Sequence, residues 1–301
     1  MKSNKGIKEK TSQKRQPSYP LQPESNSILG VRVDFLSSSE VLNRIERYLE
    51  EEPFKETALV STTNPEFIMT AQKDSEFRKI INTSFLSVPD GVGVLYANYY
   101  LNGLLKGNFK KPLGGRVPGV QLVYDLCALA ERENYSVFLL GGWPTDYLGR
   151  PIKDPGYDLA SKAGEELKQM YPDLNLVGAT SKFSYRQEDD EETVTYIQEA
   201  MEDSGVGSVD ILIVCYGHAK QEKWIQRNAN KIPARLAVGA GGTFDYISKE
   251  KSWAPKWIQA VHLEWLYRLV TQPWRIRRIV TSFLIFPLEV LLTSKYDTLS
   301  R

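Results

Sequence analysis

Apolar residues fall along this chain in short continuous runs separated by longer amphipathic stretches. The runs are Ala58–Thr62, Phe85–Val88, Val137–Leu140, Leu174–Val177, Ile211–Cys215 and Leu236–Val238. Between them, Pro65–Ile81, Val120–Glu133, Ala160–Met170 and Glu191–Met201 carry apolar residues at helical spacing. Runs that are apolar on both faces suit central parallel strands, and alternation with helices covers both sides of the sheet. The pattern predicts an α/β fold, a mostly parallel sheet with helices on both faces, over residues 28–252. Residues 1–27 are rich in Lys, Ser, Gln and Pro and have little to bury, so they read as a disordered basic arm. Trp143–Tyr157, rich in Pro, Gly and Asp, reads as an extended loop.

Each strand-like run ends in glycine or polar residues. Ala58–Thr62 leads into Thr63-Asn64-Pro65, and Phe85–Val88 into Pro89-Asp90-Gly91. Val137–Leu140 leads into Gly141-Gly142, Ile211–Cys215 into Gly217, and Leu236–Val238 towards Gly241-Gly242-Thr243-Phe244-Asp245. In a parallel sheet these ends share one edge, where open α/β folds bind ligands. Glycines and helix N-termini there suit phosphate. Neither a G-x-G-x-x-G nor a G-x-x-x-x-G-K-[ST] fingerprint is present, which counts against a nucleotide-dependent oxidoreductase.

Charge changes the picture through its distribution. The net charge is +1, yet residues 1–25 and 253–301 each carry +4, leaving −7 between them. Two basic ends on an acidic body suit an anionic surface. The segment 253–301 interleaves Trp253, Trp257, Trp265, Tyr267 and Trp274 with Lys256, Arg268, Arg275, Arg277 and Arg278. Aromatic and basic residues together suit a lipid interface or single-stranded nucleic acid, and the apolar stretch Ile279–Leu292 that follows favours lipid. That stretch has 14 residues and contains Pro287 and Glu289, too short and too interrupted to span a bilayer. The segment therefore reads as a membrane-associating appendage, with no nucleic-acid partner. Cys127 and Cys215 have no metal spacing, and His218 and His262 are the only histidines, so no metal site is implied.

Asp90, placed between a strand and a glycine at the ligand edge, is the candidate general base. Asn64 either orients a substrate hydroxyl or caps the following helix. Arg116 suits a pyrophosphate. Gln221 and Glu222, opening a helix, suit a uracil and a ribose, with Asp245 as a second candidate for sugar hydroxyls. The acidic run Glu188–Glu192 reads as solvated surface.

The chain resembles the WecG/TagA/CpsF glycosyltransferases. The resemblance rests on T-x-N at Thr62–Asn64, PDGVGV at Pro89–Val94, GRVPGV at Gly115–Val120, LLGG at Leu139–Gly142, KQE at Lys220–Glu222 and GGTFD at Gly241–Asp245. It continues through AP-x-W at Ala254–Trp257, LEWLYR at Leu263–Arg268 and P-x-R at Pro273–Arg275. It implies an inverting, metal-independent transferase on a Rossmann-like core. Such an enzyme moves a hexose of the N-acetylmannosamine type from a UDP-sugar to a polyprenyl-diphosphate-linked sugar, in teichoic acid or related cell-surface polymer synthesis. It implies no cofactor beyond the UDP-sugar substrate, a peripheral location on the cytoplasmic face of the bacterial plasma membrane, and self-association off the membrane. By resemblance Asp90 is the base, and Thr62 and Asn64 position the acceptor or the base. Arg268, Arg275 and Arg278 stabilise diphosphate charge, and Arg116, Gly141, Gly142, Gln221, Glu222, Gly241, Gly242 and Asp245 hold the donor. The turn before Lys220 reads Cys215-Tyr216-Gly217-His218-Ala219 in place of the family's Gly-x-Gly-x-Pro. Lys249, Trp253 and His262 stand where the family carries Gly, Arg and Gly. A non-catalytic scaffold that binds a nucleotide sugar at the membrane is the competing expectation.

Overall fold

The computed structural model describes residues 25–51, 54–104, 115–143, 156–252 and 264–299, together with Pro255 and Ile258. The chain opens with an antiparallel hairpin of β1 (Ser25–Ile28) and β2 (Val31–Asp34). Leu29 and Gly30 turn it with φ of 51° and 75°, the paired positive values of a tight hairpin turn. Residues 25–27 therefore belong to the core and not to the arm; residues 1–24 lie outside the described residues.

After α1 (Ser38–Glu51) the chain builds one six-stranded sheet. Its strands are β3 (Ala58–Thr63), β4 (Leu86–Pro89), β5 (Ser136–Gly141), β6 (Asn175–Thr180), β7 (Val209–Cys215) and β8 (Ala234–Gly239). All neighbours pair in parallel, in the order β4-β3-β8-β7-β5-β6. β3, β8, β7 and β5 are the interior strands and are almost wholly buried, as their apolar runs require.

The intervening helices are α2 (Pro65–Ala71), α3 (Ser75–Thr83), α4 (Val92–Asn98), α5 (Gly119–Glu133), α6 (Leu159–Met170), α7 (Asp190–Ser204), α8 (Lys220–Asn228) and α9 (Thr243–Ile247). The single helix expected over Pro65–Ile81 is two, because Asp74 stops one and accepts the Phe77 N–H to cap the next. α1, α5, α6 and α9 pack on one face of the sheet. α7 and α8 cover the other, continued by a cluster of the hairpin, α2, α3 and α4. The acidic run is not all solvated: Asp190 is buried and bonded to Arg227 at 2.6 and 2.7 Å.

The C-terminal part holds α10 (Glu264–Thr271), a turn at Pro273–Arg275 where proline ends the helix, then α11 (Ile276–Val280) and α12 (Phe286–Leu299). A π-helical turn, Thr281–Ile285, joins the last two. This segment is docked on the core. Phe286 and Val290 are buried in the hairpin–α2–α4 cluster, and Tyr100 and Ser294 bond through their hydroxyls at 3.2 Å. Its opposite side exposes Leu284, Ile285, Leu288, Leu291 and Leu292. Among the described residues no helix is long and apolar enough to cross a membrane.

Candidate active site

The chain leaves β3 toward α2 on one face of the sheet and leaves β8 toward α9 on the other. Where adjacent strands diverge in this way, a crevice opens beyond their carboxyl ends. A cleft of about 290 Å³ lies there, walled on its outer side by the C-terminal helix. Thr62 closes its floor by donating its hydroxyl to the Gly239 carbonyl at 3.1 Å, across the β3–β8 seam.

Asp90 stands at the end of β4. Its N–H donates to the Thr63 carbonyl at 2.8 Å, which extends the ladder by one residue and fixes the side chain's origin. The Val117 N–H donates to the Pro89 carbonyl at 2.9 Å and ties the Arg116 loop to the same strand end. Arg116 Nε lies 3.9 Å from Asp90 Oδ1, an ion-pair distance longer than a hydrogen bond, and both side chains are about a quarter exposed, 23% and 28%. Asn64 lines the cleft and also caps α2, its Oδ1 accepting the Phe67 N–H at 3.0 Å. The expected cap is therefore present, and the residue that makes it also lies on the cleft wall.

The glycine loops after β7 and β8 are held together by Gln221. Its Oε1 accepts the N–H of Gly217 at 3.1 Å and of Gly241 at 2.9 Å, and its Nε2 donates to Glu222 Oε1 at 2.7 Å. Gln221 reaches the cleft wall, but its carbonyl oxygen is occupied in bracing the two loops. Glu222 is fully buried behind it, where burial pushes its carboxyl up to about 7. A Cβ on Gly239 would lie 2.5 Å from Glu222 Oε1, so only glycine admits this pair beneath the strand.

Asp245 likewise sits off the cleft wall. It pairs with Lys251 at 2.9 Å, and burial raises its carboxyl against the opposing pull of Lys251 and Arg275. Gly141 and Gly142 are packing residues. Both have positive φ, and added Cβ atoms would come within 2.7 Å of the Tyr216 ring and 2.8 Å of the Phe244 ring. The Gly142 N–H is taken by the Cys215 carbonyl. Of the expected donor-holding set, Arg116, Gln221, Gly241 and Gly242 line the cleft, and Gly141, Gly142, Glu222 and Asp245 do not.

The C-terminal segment supplies Arg275 and Arg278 to the cleft. Arg278 binds Glu66 of α2 through Nε at 2.6 Å and Nη2 at 2.5 Å. The side chain of Arg268 lies outside the described residues. His218 lines the cleft edge-on to Phe67 at 4.6 Å and shares a 2.8 Å hydrogen bond with Thr70. Burial lowers its pKa to about 4, so the ring is neutral near pH 7 and brings no positive charge to a phosphate. Sequence reasoning missed Glu66. An acidic residue in a first helical turn is ordinary dipole chemistry, and its partner 212 residues away leaves no local signal.

The family model described as "Glycosyl transferase WecG/TagA/CpsF family" matches residues 26–298. The chain is 28% identical over 259 residues, 86% of its length and 85% of the relative's, to a protein of Bacillus subtilis (strain 168). That relative is named N-acetylglucosaminyldiphosphoundecaprenol N-acetyl-beta-D-mannosaminyltransferase. Relatives of the same name occur in Staphylococcus aureus (strain MRSA252), 27% identical over 84% of this chain and 87% of the relative, and in Bacillus spizizenii, 25% identical over 74% and 75%.

Proposed function

The chain belongs to the WecG/TagA/CpsF glycosyl transferase family, and from that we propose that it moves a hexose of the N-acetylmannosamine type from a UDP-sugar to N-acetylglucosamine on a polyprenyl diphosphate, with inversion. The observation that carries the reading is Asp90. It is a carboxylate fixed by the β3–β4 ladder in the switch-point cleft, with Arg116 beside it and Arg275 and Arg278 among the cleft's other lining residues.

The acceptor hydroxyl gives its proton to Asp90 as its oxygen bonds to the anomeric carbon. The bond from that carbon to UDP breaks on the opposite side, and the leaving diphosphate takes the electron pair. Charge develops on the leaving diphosphate, and the guanidinium group of Arg116, beside Asp90 in the cleft, is placed to neutralise it. The Gly241–Gly242 backbone, held by Gln221, lets the phosphates approach closely. Thr62 and Asn64 set the floor against which the acceptor sugar rests. The proposal includes no cofactor and no divalent cation, so UDP release persists in excess EDTA. It also places the enzyme peripherally on the cytoplasmic face of the membrane, held by the exposed apolar side of the C-terminal helix.

The test is UDP release with UDP-N-acetylmannosamine and N-acetylglucosaminyl-diphosphoryl-prenol. Asp90→Asn lowers kcat by roughly 100- to 10,000-fold while donor affinity and melting temperature stay near wild type. Wild-type turnover in that variant removes Asp90 from the role, and no UDP release from the wild type removes the transferase reading in favour of a binding scaffold.

A further inference from the structure

The cleft-facing side of the C-terminal helix changes chemistry along its length. Arg275 and Arg278 line the cleft first, then Ile279, then Ser282 and Phe283. These positions, spaced i, i+3, i+4, i+7 and i+8, form one helix face. The π-turn sits within this face. The Phe286 N–H donates to the Thr281 carbonyl, five residues back, so one extra residue is accommodated at this point. Beyond it Phe286 and Val290 point into the core, while Phe283 stays at the cleft with 40% of its surface exposed.

We infer that Ile279 and Phe283 form the subsite for the first isoprene units of the acceptor lipid, with Arg275 and Arg278 at its diphosphate. The identity of the occupant rests on the transferase reading above. The order of groups along the helix matches an amphiphile in which a diphosphate is followed by hydrocarbon. Two guanidinium groups are followed along the helix by an isoleucine and a phenylalanine, all four lining the cleft that also holds Asp90. A nucleoside diphosphate continues past its phosphates into a ribose and a base, which call for polar partners, and Ile279 and Phe283 offer none. The prenyl chain would leave the cleft beside Leu284, the most exposed leucine of this helix at 66%, where the apolar outer side begins.

The test uses farnesyl diphosphate and methyl diphosphate as binding probes on the full chain, in solution without vesicles. The two share a headgroup and differ only in hydrocarbon. The wild type prefers the farnesyl ester by roughly tenfold or more, the expectation for burying a few methylene equivalents. Phe283→Ala brings that ratio close to one and leaves methyl diphosphate binding unchanged, and Phe283→Leu retains most of the preference. Arg278→Gln weakens both probes alike. Leu288→Ala, on the outer side of the helix, leaves the ratio intact. A wild-type ratio near one overturns the subsite. So does an unchanged ratio in Phe283→Ala, or an equal collapse in Leu288→Ala, which assigns the preference to the outer surface. Neither probe requires turnover, so absence of UDP release with an intact ratio refutes the transferase reading and not the apolar subsite.

Discussion

Because burial pushes the Glu222 carboxyl up to about 7 from 4.5, its proton links folding to pH. Between these values the folded chain holds a proton that the unfolded chain has released. Stability from this group is therefore complete below about pH 4.5 and falls as pH rises to 7. Glu222→Gln cannot lose a proton. It should match wild type below about pH 4.5 and exceed it at pH 8 by on the order of 3 kcal/mol, read as a melting-temperature difference that opens across this window. A constant difference from pH 5 to 8 would show that the carboxyl is not held protonated. His218 acts from the acid side: held near 4 instead of 6.5, it costs stability as pH falls from 6.5 toward 4. Gln221→Ala removes the acceptor shared by the Gly217 and Gly241 N–H groups, which costs about 2 kcal/mol and raises the donor KM. At this scale the sequence put Asp90, Asn64, Arg116 and Gln221 at the sheet edge where the cleft lies, because strand ends followed by Pro, Gly or a helix start are locally encoded. It misplaced Glu222 and Asp245. Both open helices at the correct sheet edge, and only packing decides whether an early-helix carboxylate faces ligand or core.

The central strands and most helices were legible because a continuous apolar run has few alternatives to a buried parallel strand. The hairpin was not. β1 reads Ser-Asn-Ser-Ile, and β2 carries Arg32 and Asp34, which resemble surface residues until they are seen as a buried pair at 2.7 Å. That pair stitches the hairpin to the start of β4 through the Ser84 carbonyl and the Ser87 N–H. The break between α2 and α3 did carry a signal, an Asp followed three residues later by a buried Phe. The docking of α4 under the C-terminal helix depends on Gly93, where a Cβ would meet Pro65 Cγ at 2.9 Å and approach the Ser282 carbonyl and Phe286. Gly93→Ala should cost about 1–3 kcal/mol and speed proteolysis of the C-terminal segment ahead of global unfolding. Ala219, just before α8, has φ of 61°, a left-handed conformation that disfavours a Cβ. Ala219→Gly relieves this but loosens the unfolded chain, so a gain between zero and about 1 kcal/mol is expected in denaturant melts.

Across the whole molecule, the appendage that the sequence set apart at residue 253 is half core and half surface. Phe286 and Val290 help close the hairpin–α2–α4 cluster, so removing residues 253–301 would open that cluster as well as strip the proposed anchor. Substituting exposed positions separates the two effects. Leu284→Lys with Leu288→Lys should reduce co-sedimentation with anionic vesicles several-fold at an unchanged melting temperature, and unchanged sedimentation would remove this face from membrane contact. Amphipathic character was legible here, but its register was not, because the π-turn shifts the outward side relative to a straight helix. The same segment returns charge to the body through Arg278 and Glu66. Glu66 thus balances this arginine, and an anion drawn to Arg278 competes with a carboxylate. A monovalent anion should gain little by displacing Glu66, whereas a diphosphate bound as proposed above would engage Arg275 and Arg278 together. The pair therefore weights the site by valence: a multiply charged diphosphate should compete with Glu66 for Arg278 better than acetate or chloride does.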